Sequence, residues 1–484
     1  MAYNLLPYNR EQDYMMPPSL REWLGEEDLA WFIVDAVTQL DLAAFYAAYR
    51  SDGWGAAAYD PSLLTGILLY AYCRGIRSSR QIAEGLQRDI AFRVVAANQQ
   101  PDFRTLCRFR SRHEQAIEGL FVQVLMLCRE AGLGKLGLIA LDGTKVAANA
   151  ALAANRTRAG LEAEVRRMFE EAKAVDAEED ARYGPDRQGD ELPEGLGRRK
   201  ERLQRLQAAK ARLEREAREA AEAAEEKARQ RSAQEAQAAA KGKKLRGRKP
   251  KPQATQPPKQ PQANMTDPES RAMKTWNGYL QGYNVQAMVS EDQILLAVGV
   301  TQEVNDLRQL LPMTERMNVN LAAAGITERP RTALADAGYA SEANLAACAA
   351  ADSPEWLIAL QKDRSQRKEA QAQRCPRGRI PKGLSERERM ERRLLTKRGR
   401  RLYRRRSVIA EPPFGQMKDR QGFRRFQRRG MDAAQSEAVL VGACHNLLKL
   451  WRRKHRVPSS ALACGTGANR DAPYSIIARS NWPF

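Results

Sequence analysis

Three acidic residues stand where their surroundings could turn a carboxylate into a working group. Asp142 directly follows the apolar run Leu138–Leu141 and precedes Gly143-Thr144, and Asp336 directly follows Thr332–Ala335 and precedes Ala337-Gly338-Tyr339. An acid at the end of a strand, among small neighbours, leaves its carboxylate open to a metal or a phosphate, because ligands bind beyond strand ends. Asp-Gly and Asp-Ala-Gly are equally ordinary turn sequences, so neither acid argues for chemistry by itself. Glu411 is a lone acid in Arg404-Arg405-Arg406-Ser407-Val408-Ile409-Ala410-Glu411-Pro412-Pro413. That setting favours the ionised carboxylate, and it reads equally as an ordinary charge-paired residue. Phosphodiester cleavage by two divalent ions needs hard oxygen ligands that hold the ions about 4 Å apart. Magnesium keeps several of its waters, so three acids on different elements suffice.

Other metal chemistries are poorly provided for. The 484 residues include three histidines (His113, His445, His455) and seven cysteines without a C-x-x-C pair, which excludes zinc fingers, histidine-based metal sites and a disulfide scaffold. The charge is lopsided: 80 Lys and Arg against 59 Asp and Glu give +21, a balance that points to polyanion partners and says nothing of fold. Residues 361–430 hold 25 Lys and Arg against 7 Asp and Glu, so most of the surplus lies in one stretch. An uninterrupted basic run reads first as a solvated one, but this run is interleaved with Leu394, Leu395, Leu402, Tyr403, Phe414, Phe423 and Phe426. The interleaving predicts a folded basic face for DNA or RNA, with Arg424, Arg425, Arg428 and Arg429 along it. Residues 1–18 lack the apolar core of a signal peptide and no run of about 18 apolar residues occurs, so a reduced, cytoplasmic, bacterial protein with no membrane contact is expected.

These residues must be positioned by elements that the periodicity outlines. Apolar residues at three- and four-residue spacing predict helices over residues 20–24, 40–49, 61–73, 80–86 and 117–129, with Asp60-Pro61 as an N-cap and first-turn proline. Residues 79–110 read as a helix, a turn around 98–102 and a second helix carrying Arg104, Arg108 and Arg110; the pair suits a recognition helix in a DNA groove or a plain helical bundle. A buried strand at 136–141 ends in a turn at Asp142-Gly143. Residues 151–240 read as a helical hairpin or short coiled coil broken near Gly184-Pro185, with leucines at 196, 203, 206 and 213. Residues 241–262, with eight basic residues, five prolines and no acid, read as a linker whose Arg246–Pro250 core suits an A·T minor groove. Strands return at 279–289 and 294–301 as a hairpin, followed by a helix at 306–317, a strand at 331–334 ending on Asp336, a helix at 341–351 and a strand at 356–360. The order predicts an antiparallel hairpin joined to a parallel βαβ part, an α/β mixed sheet with helices outside.

Several stretches together resemble the DDE transposases of bacterial insertion sequences: DGTKVAANAA at 142–151, GYNVQ at 282–286 with Asn305-Asp306, DAGYAS at 336–341, and Tyr403 through Glu411-Pro-Pro-Phe-Gly-Gln-Met to Lys418. The helical N-terminal part, with YDPSLLTGILLYAY and PDFRTLCRFR, is similar to the region preceding the catalytic core in that family. The resemblance covers about residues 15–455 and implies a ribonuclease H-like mixed sheet with flanking helices, preceded by an all-α N-terminal domain and interrupted by a helical-hairpin insertion after the first Asp.

The resemblance implies a division into an end-binding helical domain (1–132), the first catalytic strand (133–150), an insertion with its basic linker (151–264), the rest of the catalytic domain with its basic face (265–455) and a tail (456–484). It implies Asp142, Asp336 and Glu411 as ligands of two Mg²⁺ ions, with Mn²⁺ as a substitute, and Tyr403, Arg406 and Lys418 as part of the signature around the glutamate and as DNA contacts, the Arg and Lys holding DNA phosphates. Four residues separate Arg406 from Glu411, where the broader signature has three. Pro412-Pro413 is expected to force Glu411 out of helical geometry and make it the cap of a helix beginning near Phe414, which leaves Glu437 as the reserve third acid. The implied activity is binding of inverted-repeat ends, hydrolysis to a 3′-hydroxyl and strand transfer into target double-stranded DNA, by a homodimer on the DNA. A nuclease that never joins strands and an inactive DNA-binding relic are the alternatives; an RNA-structural protein fits the charge but has no need of acids at two strand ends.

Overall fold

The computed structural model describes residues 19–49, 57–157, 159–167, 170, 194–240, 262–275, 278–350, 353–361, 375–376, 378–381 and 383–455. The Arg246–Pro250 segment, the Gly184-Pro185 break and the tail beyond 455 lie outside them. The chain begins with helices α1 (Leu29–Thr38), α2 (Ala43–Tyr46), α3 (Pro61–Cys73), α4 (Ser79–Arg88), α5 (Ile90–Val95), α6 (Phe103–Arg112) and α7 (Glu114–Glu130). Asp60 caps α3 as expected, its carboxylate accepting from the Ser62 N–H at 2.8 Å with Pro61 in the first turn. Asp102 caps α6 in the same way, through the Thr105 N–H at 2.8 Å.

A six-stranded mixed sheet follows. Its strands are β1 (Leu138–Ala147), β4 (Arg271–Thr275), β5 (Gly278–Ser290), β6 (Leu295–Thr301), β7 (Thr332–Ala335) and β8 (Glu355–Ile358), in the order β4-β5-β1-β7-β8 with β6 also on β5. The short strands β2 (Asn155–Thr157) and β3 (Gln262–Asn264) pair separately. β5 runs antiparallel to β1, β4 and β6, whereas β7 is parallel to β1 and β8 to β7. This is the antiparallel set joined to a parallel part that the sequence predicts, and it has the mixed topology of a ribonuclease H-like domain. One expectation is corrected: Asp142-Gly143 is no turn. The 13 residues of β5 offer pairing partners as far as Ala147, opposite Gly282, so β1 continues past the acid.

Helices α8 (Glu194–Ala240), α9 (Leu310–Ala323), α10 (Glu342–Ala347), α11 (Glu386–Leu395), α12 (Lys397–Asp419) and α13 (Met431–Lys454) lie beyond β1 in the chain. In α8 the seam works with small residues as well as leucines: Leu206, Ala209, Leu213 and Ala217 are buried, the first three in a cluster with Leu161 and Ala263. Helix α13 packs against α7, β6 and α3, and a single apolar cluster contains Ile67 and Leu69 of α3, Ile139 of β1, Val298 of β6 and Val441 and Leu447 of α13. Two buried amides of α13 pair with the open edge of β6: Asn446 accepts from Leu295 N–H and donates to its carbonyl, both at 2.9 Å, while Gln435 accepts from Val300 N–H at 2.8 Å. An edge strand covered in this way offers no template for further pairing.

A second expectation is also corrected. Helix α12 does not begin near Phe414 but runs unbroken through Pro412 and Pro413, with Glu411 inside it. Pro412 lacks the N–H that would serve the carbonyl four residues back, and the side chain of Gln293 donates to that carbonyl, Val408 O, at 2.9 Å in its place.

Candidate active site

The pairing of β1 with β7 matches Leu138 to Thr332, Ile139 to Ala333 and Ala140 to Leu334. Continued by two residues, the same register sets Asp142 level with Asp336 on neighbouring strands, which lie about 4.8 Å apart. Asp336 leaves the sheet at once: it caps the short turn Ala337–Tyr339, its Oδ1 accepting from the Gly338 N–H at 2.7 Å. Asp142 and Thr144 share one face of β1, because strand side chains alternate, and both meet α12. Arg406 Nη1 lies 3.0 Å from Asp142 Oδ2 and its Nη2 lies 3.5 Å from Glu411 Oε1, so one guanidinium bridges two of the three acids. Lys418 donates to Thr144 Oγ1. Glu411 and Lys418 are seven residues apart, two turns along the same face of the helix.

Electrostatics separate the members of the site. The Asp142 side chain is 17% exposed and that of Glu411 62%. Burial pushes the Asp142 carboxyl up to about 6; Arg406 opposes the rise and the nearby Asp336 adds to it. Burial opposes the charge of Arg406, but Asp142 and the other acids around it hold its pKa above the usual value. Lys418 is lowered by burial and then by Arg424. Among the described residues no group of three or more His, Cys, Asp or Glu is disposed to hold a metal ion. The donor chemistry nevertheless suits a hard cation: the acids offer only carboxylate oxygens, and burial, with Asp336 adding to it, disfavours the charge on Asp142 that a bound cation would offset.

A fourth carboxylate reaches the same place. Asp306 Oδ1 accepts from Asn284 Nδ2 and Gln286 Nε2, both at 2.7 Å, and Gln286 in turn accepts from the Tyr339 hydroxyl. A side chain at Gly338 would come within 2.9 Å of Asp336 Oδ1 and 3.1 Å of Asp306 Oδ2, so that glycine sits between the two acids. Sequence reasoning gave Asp306 no role beyond its place in the resemblance, because it follows no apolar run; its signal was the polar pair Asn284 and Gln286 on one face of an otherwise apolar strand.

The reserve acid is not part of this group. Glu437 is fully buried in α13, its side chain 0% exposed, and is 2.6 Å from Arg77 Nη1. It also accepts from the N–H groups of Gln427 and Arg428 at 3.0 and 3.3 Å. Arg77 further donates to the carbonyls of Gln421 at 3.1 Å, Arg425 at 2.9 Å and Gly422. The pair is a buried joint between the N-terminal helices and the segment after α12.

The expected DNA contacts divide in the same way. Arg104 and Arg108 are exposed on α6, but Arg110 is buried, its guanidinium bound to Tyr72 Oη at 2.9 Å, the Arg77 carbonyl at 3.0 Å and Ser79 Oγ. The helical period turns residue 110 inward with Leu106 and Phe109, so Arg110 is corrected from a DNA contact to a core residue. Arg424, Arg425 and Arg429 are exposed, and Arg429 donates to the Asn149 carbonyl at 3.1 Å. Arg428 is instead engaged by Glu114 and by Ser111 Oγ at 3.2 Å, joining the basic segment to the start of α7. Tyr403 packs half-buried against the core.

Comparison with known families gives two matches. The family described as "Transposase DDE domain" matches residues 227–447, and that described as "Transposase domain (DUF772)" matches residues 19–112. No curated protein and no solved structure matches the chain.

Proposed function

Because the chain belongs to the DDE transposases of bacterial insertion sequences, we propose that it binds the inverted-repeat ends of its element and, with Mg²⁺ or Mn²⁺, cuts a DNA phosphodiester and joins the freed 3′-hydroxyl to target DNA. The observation that supports this reading is the Arg406 guanidinium bridging Asp142 and Glu411, with Asp336, the residue that follows the strand paired parallel to β1, close enough to act on the Asp142 carboxylate. Asp142, Asp336 and Glu411 would hold the ions, which supply Lewis-acid activation of the attacking and leaving oxygens. Asp306, held by Asn284 and Gln286, keeps a further carboxylate beside Asp336. Lys418 and the exposed Arg424, Arg425 and Arg429 place positive charge along the route of the phosphate backbone, while Arg104 and Arg108 present charge from α6 to the element end. Two ends require two active sites, so a homodimer on DNA is part of the proposal. Among the described residues no helix is long and apolar enough to cross a membrane, and the proposed place of work is the bacterial nucleoid.

The test is Mg²⁺-dependent nicking of a duplex carrying the element's ends. Asp142→Asn, Asp336→Asn and Glu411→Gln are expected to abolish nicking while binding persists, and a 3′-end joining assay separates transposition from hydrolysis alone. A native chain that binds and never cuts is an inactive relic, and loss of binding in the acid variants would make those residues structural.

A further inference from the structure

Helix α12 carries Glu411 immediately before Pro412, and the rung that this proline removes is the one between residue 412 and Val408. Gln293 fills that gap at 2.9 Å. It stands in the turn between β5 and β6 with φ of 67°, a left-handed conformation that non-glycine residues rarely adopt. The surrounding structure holds it there. Its Oε1 accepts from Lys449 Nζ at 2.7 Å, its carbonyl lies 3.0 Å from His445 Nε2, and its N–H donates to the Ser290 carbonyl at 2.9 Å. His445, pushed down to about 4 by burial, is neutral, so the contact with the carbonyl is an Nε2–H donation.

The rest of the turn is anchored as well. Asp292 accepts from the N–H groups of Gly134 and Lys135 at 2.8 and 3.2 Å, just before β1, and Glu291 pairs with Arg405 of α12 at 3.1 Å. A helix with a complete ladder would satisfy Val408 internally and need no donor from the β5–β6 turn. With Pro412 in place, the helix instead takes its missing donor from a turn locked to β1 and α13, within one turn of the glutamate.

We propose that Gln293 is a positioning residue for Glu411, setting the glutamate's helix against β1 by supplying the hydrogen bond that Pro412 removes. The inference rests on the reading of Glu411 as an acid of the cleavage site.

The experiment is a rescue cycle with Gln293→Glu, Gln293→Ala, Pro412→Ala and the two double variants, all in the full chain. Gln293→Glu keeps an acceptor for Lys449 but has no donor for Val408, and it keeps the turn occupied should Gln293→Ala fold poorly. At saturating DNA, Gln293→Glu is expected to lower the nicking rate by about 10-fold, with end binding changed by less than about 2-fold. Adding Pro412→Ala restores an N–H facing Val408, and the double variant should return to within about 3-fold of Pro412→Ala alone. Hydrogen exchange of the amides of residues 414–418 follows the same cycle independently of activity, faster in Gln293→Glu and slowed again in the double variant. Nicking and exchange left unchanged by Gln293→Glu, or a loss equal in both proline backgrounds, would overturn the positioning role alone. A native chain that binds ends without nicking, while the exchange cycle behaves as described, would overturn the reading on which it rests and leave only the clamp.

Discussion

Asp142→Asn should make the protein more stable as well as inactive, and the size of the gain follows from the site. The native carboxyl titrates at about 6 against an ordinary 3.8, because it is buried, with Asp336 adding to the rise and Arg406 only partly offsetting it. The fold therefore prefers the protonated acid. Between those two values the folded chain binds at this site a proton that the unfolded one has lost, so the contribution of Asp142 to stability is greatest below about pH 4, falls as the pH rises to about 6 and is level above it. At about 1.36 kcal/mol per pH unit, the ionised carboxylate costs ~3 kcal/mol at neutral pH, a large part of the 5–15 kcal/mol, roughly, that holds a typical domain together. Asparagine keeps the shape and removes the charge, and Arg406 retains Glu411 at 3.5 Å as a partner. Urea unfolding in metal-free buffer, followed by tryptophan fluorescence from about pH 4 to about pH 7, should show equal stabilities at the acid end and an advantage of ~3 kcal/mol for the variant at the neutral end. Added Mg²⁺ should narrow that advantage, since an ion held by the native carboxylates stabilises only the folded state. An Asn variant no more stable than the native chain at neutral pH, or equally advantaged at both ends, would refute the argument that this carboxylate is held charged at a cost.

Three further outcomes are expected. Arg77→Ala strands the fully buried Glu437 and should lower stability by about 3–5 kcal/mol in denaturant unfolding. Gly282→Ala drives a methyl group into the Val146 carbonyl across the β1–β5 pair and should cost about 1–3 kcal/mol, read as a lower melting temperature. Arg104→Ala and Arg108→Ala should weaken binding to any DNA and each reduce the salt slope by about 1, whereas Arg110→Ala, which unpairs Tyr72 and Ser79, should lower thermal stability and leave the slope alone.

What could be read in advance was whatever local pattern dictates. The apolar runs before Asp142 and Asp336 marked buried strands, and acids at their ends are conspicuous against such runs. The β5–β6 hairpin showed itself in the break at Ser290-Glu291-Asp292, and α3 in Asp60-Pro61. What escaped depends on partners distant in sequence. The strand continues past Asp142-Gly143 because β5 is long enough to pair with it, which no window around residue 142 contains. Pro412-Pro413 signals a helix break on any local rule, and the donor that Pro412 cannot give to Val408 comes from a glutamine 119 residues earlier. Arg110 and Arg428 read as cations for DNA because composition does not say which arginines have found Tyr72 or Glu114.

The joint between Arg77 and Glu437, together with the apolar cluster that runs from α3 through β1 to α13, puts a shared packed core between the helices proposed to grip a DNA end and the acids proposed to cut it. The protein is then a fixed gauge. The distance from a bound motif to the severed phosphate is written in the packing of side chains, and the element must supply a sequence of matching length. Base pairs added between the two would carry the scissile bond off the gauge, leaving an end that is still bound and no longer cut, so the spacing within the inverted repeat is constrained by the protein's core as much as by any residue that touches DNA.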